Sequence, residues 1–301
     1  NKTKYETDPS ILPRGIKNKI EIENIKEAHI EDGVALTKFL YWLENAHSNK
    51  QKLDEVSIAG KLESLRKKGA NFFSLSFDTI AGWNENGAII HYKAEPKTSK
   101  KIKGDGLLLL DSGGQYLTGT TDVTRTIALG KPSAAQIKNN TLVLRGHIAV
   151  AKKKFKAGVA GNKLDVEARK FLKKEGKDYA HGTGHGVGFF LNVHEGPHGI
   201  SKINKVPLEV GMVISNEPGF YEKNKYGIRI ESLVFVKNSK EKGFLELETL
   251  TLAPIDKKLI DFKMLNKEEI DWLNNYHEDV YRKVSPYLTV KESAWLKDYI
   301  S

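Results

Sequence analysis

Four acidic residues stand out because each lies on, or at the end of, a short apolar run of strand type. They are Asp111, Asp122, Glu217 and Glu231. A carboxylate withdrawn from water is costly unless a cation or several hydrogen bonds compensate its charge. Four such groups together carry about four negative charges, which two divalent cations would balance. The pattern therefore predicts a site for two metal ions if the fold brings the four side chains together.

Each of these carboxylates also has a simpler interpretation. Asp111, at the end of a strand, would serve as a turn cap, and Asp122 would form a salt bridge with Arg125. Side chains alternate along a strand, so Arg229 and Glu231 lie on one face and would form an ion pair. None of these alternatives requires a metal, and the residues taken one at a time leave them open.

Four of the nine histidines lie between His181 and His198, in the run HGTGHGVGFFLNVHEGPH. His181 and His185 have the i, i+4 spacing of one helix face, but the glycines between them disfavour a helix. The glycines instead indicate a backbone that comes close to a ligand. This segment is therefore a second candidate part of the site.

The elements that must position these residues follow from hydrophobic periodicity. Helices are predicted over 22–45, 53–68, 133–155 and 164–175. Strands are predicted over 71–76, 87–92, 106–111, 120–129, 212–216 and 228–236, with 106–111 and 120–129 as antiparallel neighbours. Because the order of helices followed by strands occurs twice, we expect an α+β domain of two similar halves, with helices covering one face of an antiparallel sheet.

Composition narrows the class of protein. The chain has 301 residues, 39% of them hydrophobic and 29% charged, which is typical of a folded protein. No run reaches the roughly 18 apolar residues of a membrane span. The absence of cysteine excludes disulfides and thiolate ligands, so any metal must be held by oxygen and imidazole. Lysines that produce the net charge of +10 are spread along the chain, so we expect no nucleic-acid partner.

Several motifs resemble the catalytic domain of the aminopeptidase P family, the Xaa-Pro aminopeptidases. They are DSGGQYLTGTTDVTRT (111–126), HGTGHGVGFFLNVHEGP (181–197), NEPGFY (216–221), GIRIES (227–232), NGAIIHY (86–92) and DWLNNYH (271–277). This resemblance covers nearly the whole chain and implies the pita-bread fold, in which two pseudo-symmetric halves cover a curved antiparallel sheet with helices.

The chain is expected to divide into three parts. Residues 1–16 are predicted to be a linker from a preceding region, 17–254 the catalytic domain, and 255–301 a C-terminal helical extension. Within the extension, Asn266 and Glu269 have the spacing of a capping box and predict a helix start. The resemblance implies that this extension supports a homodimer.

The resemblance also implies roles for the site residues. Asp122 and Glu231 would bridge two divalent ions, Asp111 would complete one ion's ligands, and His185 with Glu217 would complete the other's. Hard oxygen ligands with one imidazole suit manganese, cobalt, zinc or iron, and the resemblance favours manganese. Three further histidines match residues that contact the substrate or shuttle protons: His91, His181 and His194. His147 and His198 have no match in the family, and we expect both to be structural.

The implied reaction is release of the N-terminal residue from peptides with proline in second position. A hydroxide bridging the two ions would attack the Xaa-Pro bond, because metals lower the pKa of bound water. Glu217 would take the proton from the attacking water, and His194 would stabilise the charge on the carbonyl oxygen. Either His91 or His181 would support protonation of the proline nitrogen. We expect a cytoplasmic enzyme that does not act at membranes.

Three alternatives share the predicted fold. A prolidase would cleave Xaa-Pro dipeptides, whereas a methionine aminopeptidase would have other residues around its ligands. A non-catalytic peptide-binding module would have lost some ligands, yet all five are present here. The runs NGAIIHY and NVHEGP favour the aminopeptidase over the prolidase.

Overall fold

The computed structural model describes Glu6 and residues 8–301. Residues 1–5 and 7 of the predicted linker therefore lie outside the described residues. The α-helices are α1 (Ile11–Gly15), α2 (Lys19–Ser48), α3 (Glu55–Arg66), α4 (Ala134–Ala151), α5 (Asn162–Lys174), α6 (Lys267–Val284) and α7 (Val290–Ile300). Short 3-10 helices occupy Asn84–Ala88, Lys257–Leu259, Phe262–Met264 and Ser285–Tyr287.

The strands of the first half are β1 (Leu53–Asp54), β2 (Phe72–Leu75), β3 (Ile80–Trp83), β4 (Lys101–Ile102), β5 (Gly106–Ser112), β6 (Gly114–Tyr116), β7 (Gly119–Thr120) and β8 (Val123–Leu129). Those that follow are β9 (Phe155–Lys156), β10 (Gly184–His185), β11 (Gly199–Ile200), β12 (Val213–Asn216), β13 (Gly219–Glu222), β14 (Tyr226–Arg229), β15 (Ser232–Asn238) and β16 (Phe244–Thr249).

Two helix pairs alternate with two groups of strands along the chain. The helices α2 and α3 precede β2 to β8, and α4 and α5 precede β10 to β16. One sheet has the order β3-β5-β8 and another the order β12-β15-β16-β9, with antiparallel pairing in both. The predicted repeat of helices and strands, and the pairing of β5 with β8, are confirmed.

Local sequence explains why the supporting elements form. Helix α2 begins at a capping box, in which the Asn18 side chain accepts the Glu21 backbone N–H and the Glu21 carboxylate accepts that of Asn18. Strands β5 and β8 are buried along their whole length. The apolar run of β5 favours such burial, whereas β8 also buries polar side chains, among them Arg125, which hydrogen-bonds backbone carbonyls. These strands form a covered platform that holds the first two candidate carboxylates.

The strand predicted over 120–129 is broken at Thr121 and Asp122, so that β8 begins at Val123. Two further strand predictions were wrong. The segment predicted as a strand over 87–92 instead begins inside the 3-10 helix Asn84–Ala88 and continues as a turn over 89–92. The chain folds back here because Gly82 meets Gly87, where a Cβ on Gly82 would lie 2.7 Å from the Gly87 backbone. The strand predicted over 228–236 is interrupted, because the Glu231 N–H leaves the ladder and donates to the Thr124 carbonyl at 3.1 Å.

The predicted helix start in the C-terminal part is confirmed. The Asn266 side chain accepts the Glu269 N–H at 2.9 Å, and the Glu269 carboxylate accepts the Asn266 N–H at 2.9 Å. On α6, the Tyr276 hydroxyl accepts a hydrogen bond from Arg125 at 2.8 Å and donates one to the Ala253 carbonyl at 2.7 Å. The C-terminal helices thus pack on the same core as β8. Among the described residues, no helix has the length and apolar character that crossing a bilayer demands.

Two buried histidines connect stability to pH. His277 on α6 accepts the Ile255 N–H at 3.1 Å, and burial, together with the charge of Arg125, lowers its pKa to about 3. Burial lowers the pKa of His147 on α4 to about 3 in the same way. The unfolded chain binds protons at both positions below about pH 6.5, whereas the folded chain does not. The free energy of unfolding that these two neutral histidines contribute is therefore fully present above that pH and is lost as the pH falls towards 3.

We predict that His277→Gln makes the acid destabilisation less steep. Each buried neutral histidine removes about 1.4 kcal/mol of unfolding free energy per pH unit below its unfolded pKa. Glutamine can still accept the Ile255 N–H but does not titrate. Urea unfolding in EDTA, followed from pH 7.5 to 4.5, should give the variant a slope smaller by about that amount. Parallel curves for the variant and the parent chain would contradict the neutral buried state of His277.

Candidate metal centre

The pairing of β5 with β8 brings the first two candidate carboxylates together. Asp111 lies near the end of β5 opposite Thr124, and Asp122 immediately precedes β8. Both residues are buried, at 8% and 4% exposure. The Oδ1 atoms of Asp111 and Asp122 have no hydrogen-bond partner within the described part of the chain. Two buried oxygens are thus left without the compensation that such groups need.

The other two carboxylates come from the second half. Glu231 lies in the break between β14 and β15, where its carboxylate accepts the Thr124 hydroxyl at 2.7 Å. Glu217 directly follows β12, and its backbone N–H donates to the Thr183 carbonyl at 2.8 Å. The Glu217 Oε1 atom accepts a weak hydrogen bond from the Ser215 hydroxyl at 3.1 Å. A hydrogen bond from the first half therefore orients Glu231, whereas hydrogen bonds within the second half orient Glu217.

His185 faces this group of acids from β10. Its Nδ1 donates to the Gly186 carbonyl at 2.9 Å, which leaves the lone pair on Nε2. That Nε2 lies 3.4 Å from Asp122 Oδ2 and 3.5 Å from Glu217 Oε1. β10 approaches β12 so closely that a Cβ at Gly184 would lie 1.8 Å from the Ser215 carbonyl oxygen. The glycine before His185 is therefore required for this histidine to reach the acids.

The five predicted ligand residues converge. Ligand atoms lie within 4.8 Å of one another in three groups, which are Asp111 with Asp122 and Glu231, His185 with Glu217 and Glu231, and Asp122 with His185 and His194. Glu231 and Asp122 each belong to two of these groups. The groups line a cavity of about 490 Å³, which His91, His181 and His194 also line.

The electrostatics of the cavity leave negative charge uncompensated. Burial, and then the neighbouring carboxylates, raise the pKa of Asp122 and of Glu231 well above the usual range. Arg229 is the only arginine or lysine among the described residues that line the cavity, and it donates to Asp111 Oδ2 at 2.6 Å. One guanidinium faces four carboxyl groups, so added cations would be electrostatically favourable in this site.

The salt bridges considered as alternatives do not form in the described structure. Arg229 hydrogen-bonds Asp111 rather than Glu231. Arg125 does not pair with Asp122, because its guanidinium donates to the backbone carbonyls of Ala253, Pro254 and Glu231. Asp111 is held by Arg229 and does not cap a turn. Each simple interpretation fails because the actual partner is more than 100 residues away in the sequence.

The three other histidines that line the cavity differ in the contacts that their rings make. The Nδ1 of His181 donates to the Gly182 carbonyl at 2.7 Å, and its Nε2 accepts the Tyr221 hydroxyl at 2.8 Å, so both ring nitrogens are occupied. The His194 ring lies 3.9 Å from the His185 ring, and burial, with the nearby His185, lowers the pKa of His194. Within the described residues, the His91 imidazole makes no hydrogen bond.

The two histidines expected to be structural lie outside this cavity. His147 Nδ1 bonds the Asn216 carbonyl at 3.0 Å, and His198 Nε2 bonds the Val213 carbonyl at 2.9 Å. Burial lowers the pKa of His198 to about 4. Both imidazoles therefore brace β12, the strand that leads to Glu217.

Comparison with known proteins defines the family. The sequence pattern of metallopeptidase family M24 matches residues 23–238, and that of the C-terminal region of peptidase M24 matches residues 243–301. The chain belongs to metallopeptidase family M24. The family predicted from the motifs is thereby confirmed.

Relatives of this M24 chain carry one name repeatedly. The chain is 47% identical over 309 residues to a probable Xaa-Pro aminopeptidase P of Paracoccidioides brasiliensis (strain Pb03), covering 99% of this chain and 50% of that protein. It is 42% identical over 325 residues to aminopeptidase P1 of Arabidopsis thaliana, covering 98% of this chain and 50% of that protein. The chain thus spans about half the length of the curated relatives it matches.

Solved structures confirm the pita-bread prediction. An X-prolyl aminopeptidase from Caenorhabditis elegans, described as a cytosolic enzyme with a di-nuclear active site, superposes with a TM-score of 0.94 at 40% identity. That match covers 98% of this chain and 50% of the enzyme. The prolidase from Pyrococcus furiosus superposes with a TM-score of 0.68 at 31% identity, covering 80% of this chain and 66% of the prolidase.

The sequence pattern missed several residues of this M24 site. Arg229 donates to the Tyr221 hydroxyl at 2.7 Å, which links the acid Asp111 to His181. On α5, Arg169 donates to the His181 carbonyl at 2.7 Å and so supports the glycine-rich segment. Tyr221 lies in the motif NEPGFY and Arg229 in GIRIES, so the only available signal was their place beside candidate ligands.

Proposed function

We propose that this chain is a metal-dependent aminopeptidase that releases the N-terminal residue from peptides with proline in second position. The observation that carries the proposal is the convergence of four carboxylates and one imidazole in a cavity where the described residues supply one opposing guanidinium. The likeness to Xaa-Pro aminopeptidases over nearly the whole chain supports this substrate class.

The donor set fits two divalent ions. Asp111 Oδ1 and Asp122 Oδ1 are buried and lack partners, and the His185 Nε2 lone pair faces the acids. Asp111, Asp122 and Glu231 would hold one ion, while His185, Glu217 and Glu231 would hold the other, with Asp122 reaching both. Oxygen donors with one imidazole suit manganese first, and cobalt, zinc or iron as well. When bound, such ions lower the pKa of water and polarise a carbonyl group.

Glu217 is placed to take the proton of the attacking water. Its Oε1 is engaged by Ser215, whereas Oε2 has no hydrogen bond among the described residues and lies 4.0 Å from His181 Nδ1. A free carboxylate oxygen beside the nucleophile serves as a general base. His194 has a lowered pKa, so it is neutral at pH 7 and can donate a hydrogen bond to the developing oxyanion.

The structure supports His91 over His181 as the residue that protonates the leaving proline nitrogen. Both ring nitrogens of His181 are bonded, to Gly182 and Tyr221, whereas the His91 ring has no hydrogen-bond partner in the described chain and lines the cavity. The Xaa-Pro bond has no N–H, so the site needs space for a ring instead of an acceptor. Apolar side chains line the same cavity and would contact that ring: Phe77, Ile80, Ile90 and Val193.

A prolidase is the second candidate, because the prolidase of Pyrococcus furiosus has the same fold. The lower coverage of that match favours the aminopeptidase, since the Caenorhabditis elegans enzyme aligns with nearly the whole chain. The homodimer and the cytoplasmic location stay predictions for this chain. The Caenorhabditis elegans enzyme is itself described as cytosolic.

A peptide panel tests the proposal. Metal-free protein would be supplied with manganese, cobalt or zinc and incubated with an Xaa-Pro-Xaa tripeptide, an Xaa-Pro dipeptide and a Met-Ala peptide. Mass spectrometry should show release of only the residue before proline from the tripeptide, and an Xaa-Ala-Xaa tripeptide should stay intact. Preference for the dipeptide would indicate a prolidase. No cleavage with any of the metals would refute the enzyme and favour a peptide-binding module.

A further inference from the structure

The candidate proton donor His91 lies on a long connection between β3 and β4. This connection, residues 84–100, begins with the 3-10 helix Asn84–Ala88 and has little regular structure after it. His91 and Ile90 line the cavity. Since the His91 ring makes no hydrogen bond within the described chain, its position depends on how its backbone is held.

One buried carboxylate holds this connection at several points. Glu55, the first residue of α3, has an exposure of 0%. Its Oε1 accepts the Trp83 N–H at 2.8 Å and the Asn86 side-chain amide at 2.9 Å. Its Oε2 accepts the Tyr92 hydroxyl at 2.7 Å and the Lys100 N–H at 2.8 Å. The four donors lie at both ends of the connection and on either side of His91.

The Glu55 carboxylate is stabilised by hydrogen bonds and by its place at the helix end rather than by an ion pair. Among the described residues, Glu55 takes part in no ion pair with a lysine, arginine or histidine within 4.0 Å. A buried carboxylate must then be stabilised by hydrogen bonds, which are stronger when the acceptor is charged. Its place in the first turn of α3 adds the favourable end of the helix dipole. Four hydrogen-bond donors of the connection and of the residue before it are therefore attached to the first turn of α3.

The start of the connection is also fixed from the other side. A Cβ on Gly227 of β14 would lie 1.7 Å from the Gly87 carbonyl oxygen, so the two backbones are in direct contact. β14 ends at Arg229, the residue that pairs with Asp111. The connection is thus held between α3 and the strand that carries Arg229.

We propose that Glu55 is the positioning residue that fixes His91 for proton transfer to the leaving nitrogen. This proposal rests on the proposed function. As the C–N bond breaks, its electron pair goes to the proline nitrogen, which takes a proton from the His91 imidazole. The water has then given its oxygen and one proton to the new carboxyl group and its other proton to Glu217, and this second proton returns through solvent to His91. Glu55 itself does not touch the substrate.

The test is a double-mutant cycle on kcat and KM. Glu55→Gln keeps the shape but replaces one acceptor oxygen by a donor that faces other donors. We expect kcat for an Xaa-Pro-Xaa tripeptide to fall by about 10 to 10²-fold with little change in KM. In a His91→Ala background, Glu55→Gln should cause no further loss. Tyr92→Phe, which removes one donor only, should lower kcat less, and it covers the case in which Glu55→Gln fails to fold.

A matched control separates positioning from general loosening. Glu31 on α2 also anchors a loop, because its carboxylate accepts the Asn71 N–H and side-chain amide, each at 3.0 Å. Glu31→Gln should leave kcat unchanged. Metal content measured on Glu55→Gln should equal that of the parent chain. Additive losses in the His91→Ala background, a loss of bound metal, or an equal fall in Glu31→Gln would each overturn the proposal.

A measurement that does not require peptide cleavage distinguishes a failure of this proposal from a failure of the proposed function. In protein labelled with ¹⁵N-histidine, the His91 signal is identified by its absence in His91→Ala. That signal should shift or broaden in Glu55→Gln, whereas the signal of the distant His277 should not. An unmoved His91 signal would refute the positioning role even if peptides are cleaved. Failure of the parent chain to cleave any peptide would refute the proposed function and leave this spectroscopic result to stand by itself.

Discussion

Glu217→Gln should lower kcat for an Xaa-Pro-Xaa tripeptide by about 10² to 10⁴-fold, the range that a general base contributes. The amide cannot accept the proton of the attacking water, although its oxygen can still accept the hydrogen bond from Ser215 that Glu217 Oε1 receives at 3.1 Å. Initial rates in saturating manganese, with the metal content of the same samples, measure the effect.

The control for this variant is Glu248→Gln, a change to a partly exposed acid on β16 that pairs with Lys237 at 2.8 Å. It should retain full activity, because a surface ion pair of this kind contributes little. If Glu217→Gln holds as much metal as the parent chain and cleaves the tripeptide at an equal rate, another group must accept the proton.

Asp122→Ala should reduce the bound metal from two ions per chain to one or none and abolish peptide cleavage. Asp122 belongs to two of the three groups of candidate ligands, so its loss weakens both positions. Atomic absorption after dialysis measures the stoichiometry. Asp256→Asn is the matched control, since Asp256 is equally buried but accepts the Ala128 N–H at 2.9 Å away from the cavity. Unchanged metal content in Asp122→Ala would contradict the role of Asp122.

Asp122→Ala should be more stable than the parent chain without metal and less stable than the parent chain with metal. Burial and the neighbouring acids raise the pKa of Asp122, so without ions this carboxyl group destabilises the folded state increasingly as the pH rises above about 4. In EDTA at pH 8, Asp122→Ala should therefore unfold at a higher temperature than the parent chain. With manganese at 100 times its Kd, bound metal stabilises the parent by about 2.7 kcal/mol, and the parent should then be the more stable.

The sequence predicted those elements that are determined by residues close together in the chain. Helix α2 follows from the periodicity of its apolar residues, and α6 begins where Asn266 and Glu269 form the predicted capping box. The pairing of β5 and β8 follows from two apolar runs separated by glycines. These strands also account for the predicted closeness of Asp111 and Asp122.

The features that could not be predicted depend on distant residues. GAIIHY does not form a strand, because Gly87 packs against Gly82 and because Glu55 holds Asn86 and Tyr92 from 31 and 37 residues away. Strand alternation placed Arg229 beside Glu231, but β14 ends at Arg229 and the guanidinium turns to Asp111, 118 residues away. Neither pairing leaves a periodic signal in the sequence. Both arise only when the two halves pack together.

Because Asp111 and Asp122 precede α4 while His185, Glu217 and Glu231 follow it, the part of the chain on either side of α4 contains only some of the donors. During translation, a nascent chain that has emerged only through β8 presents two acids and no imidazole from this group. Ion binding is therefore expected only after the two halves have docked. A nascent chain that has not yet reached Glu231 would lack part of the donor set that the proposed hydrolysis needs.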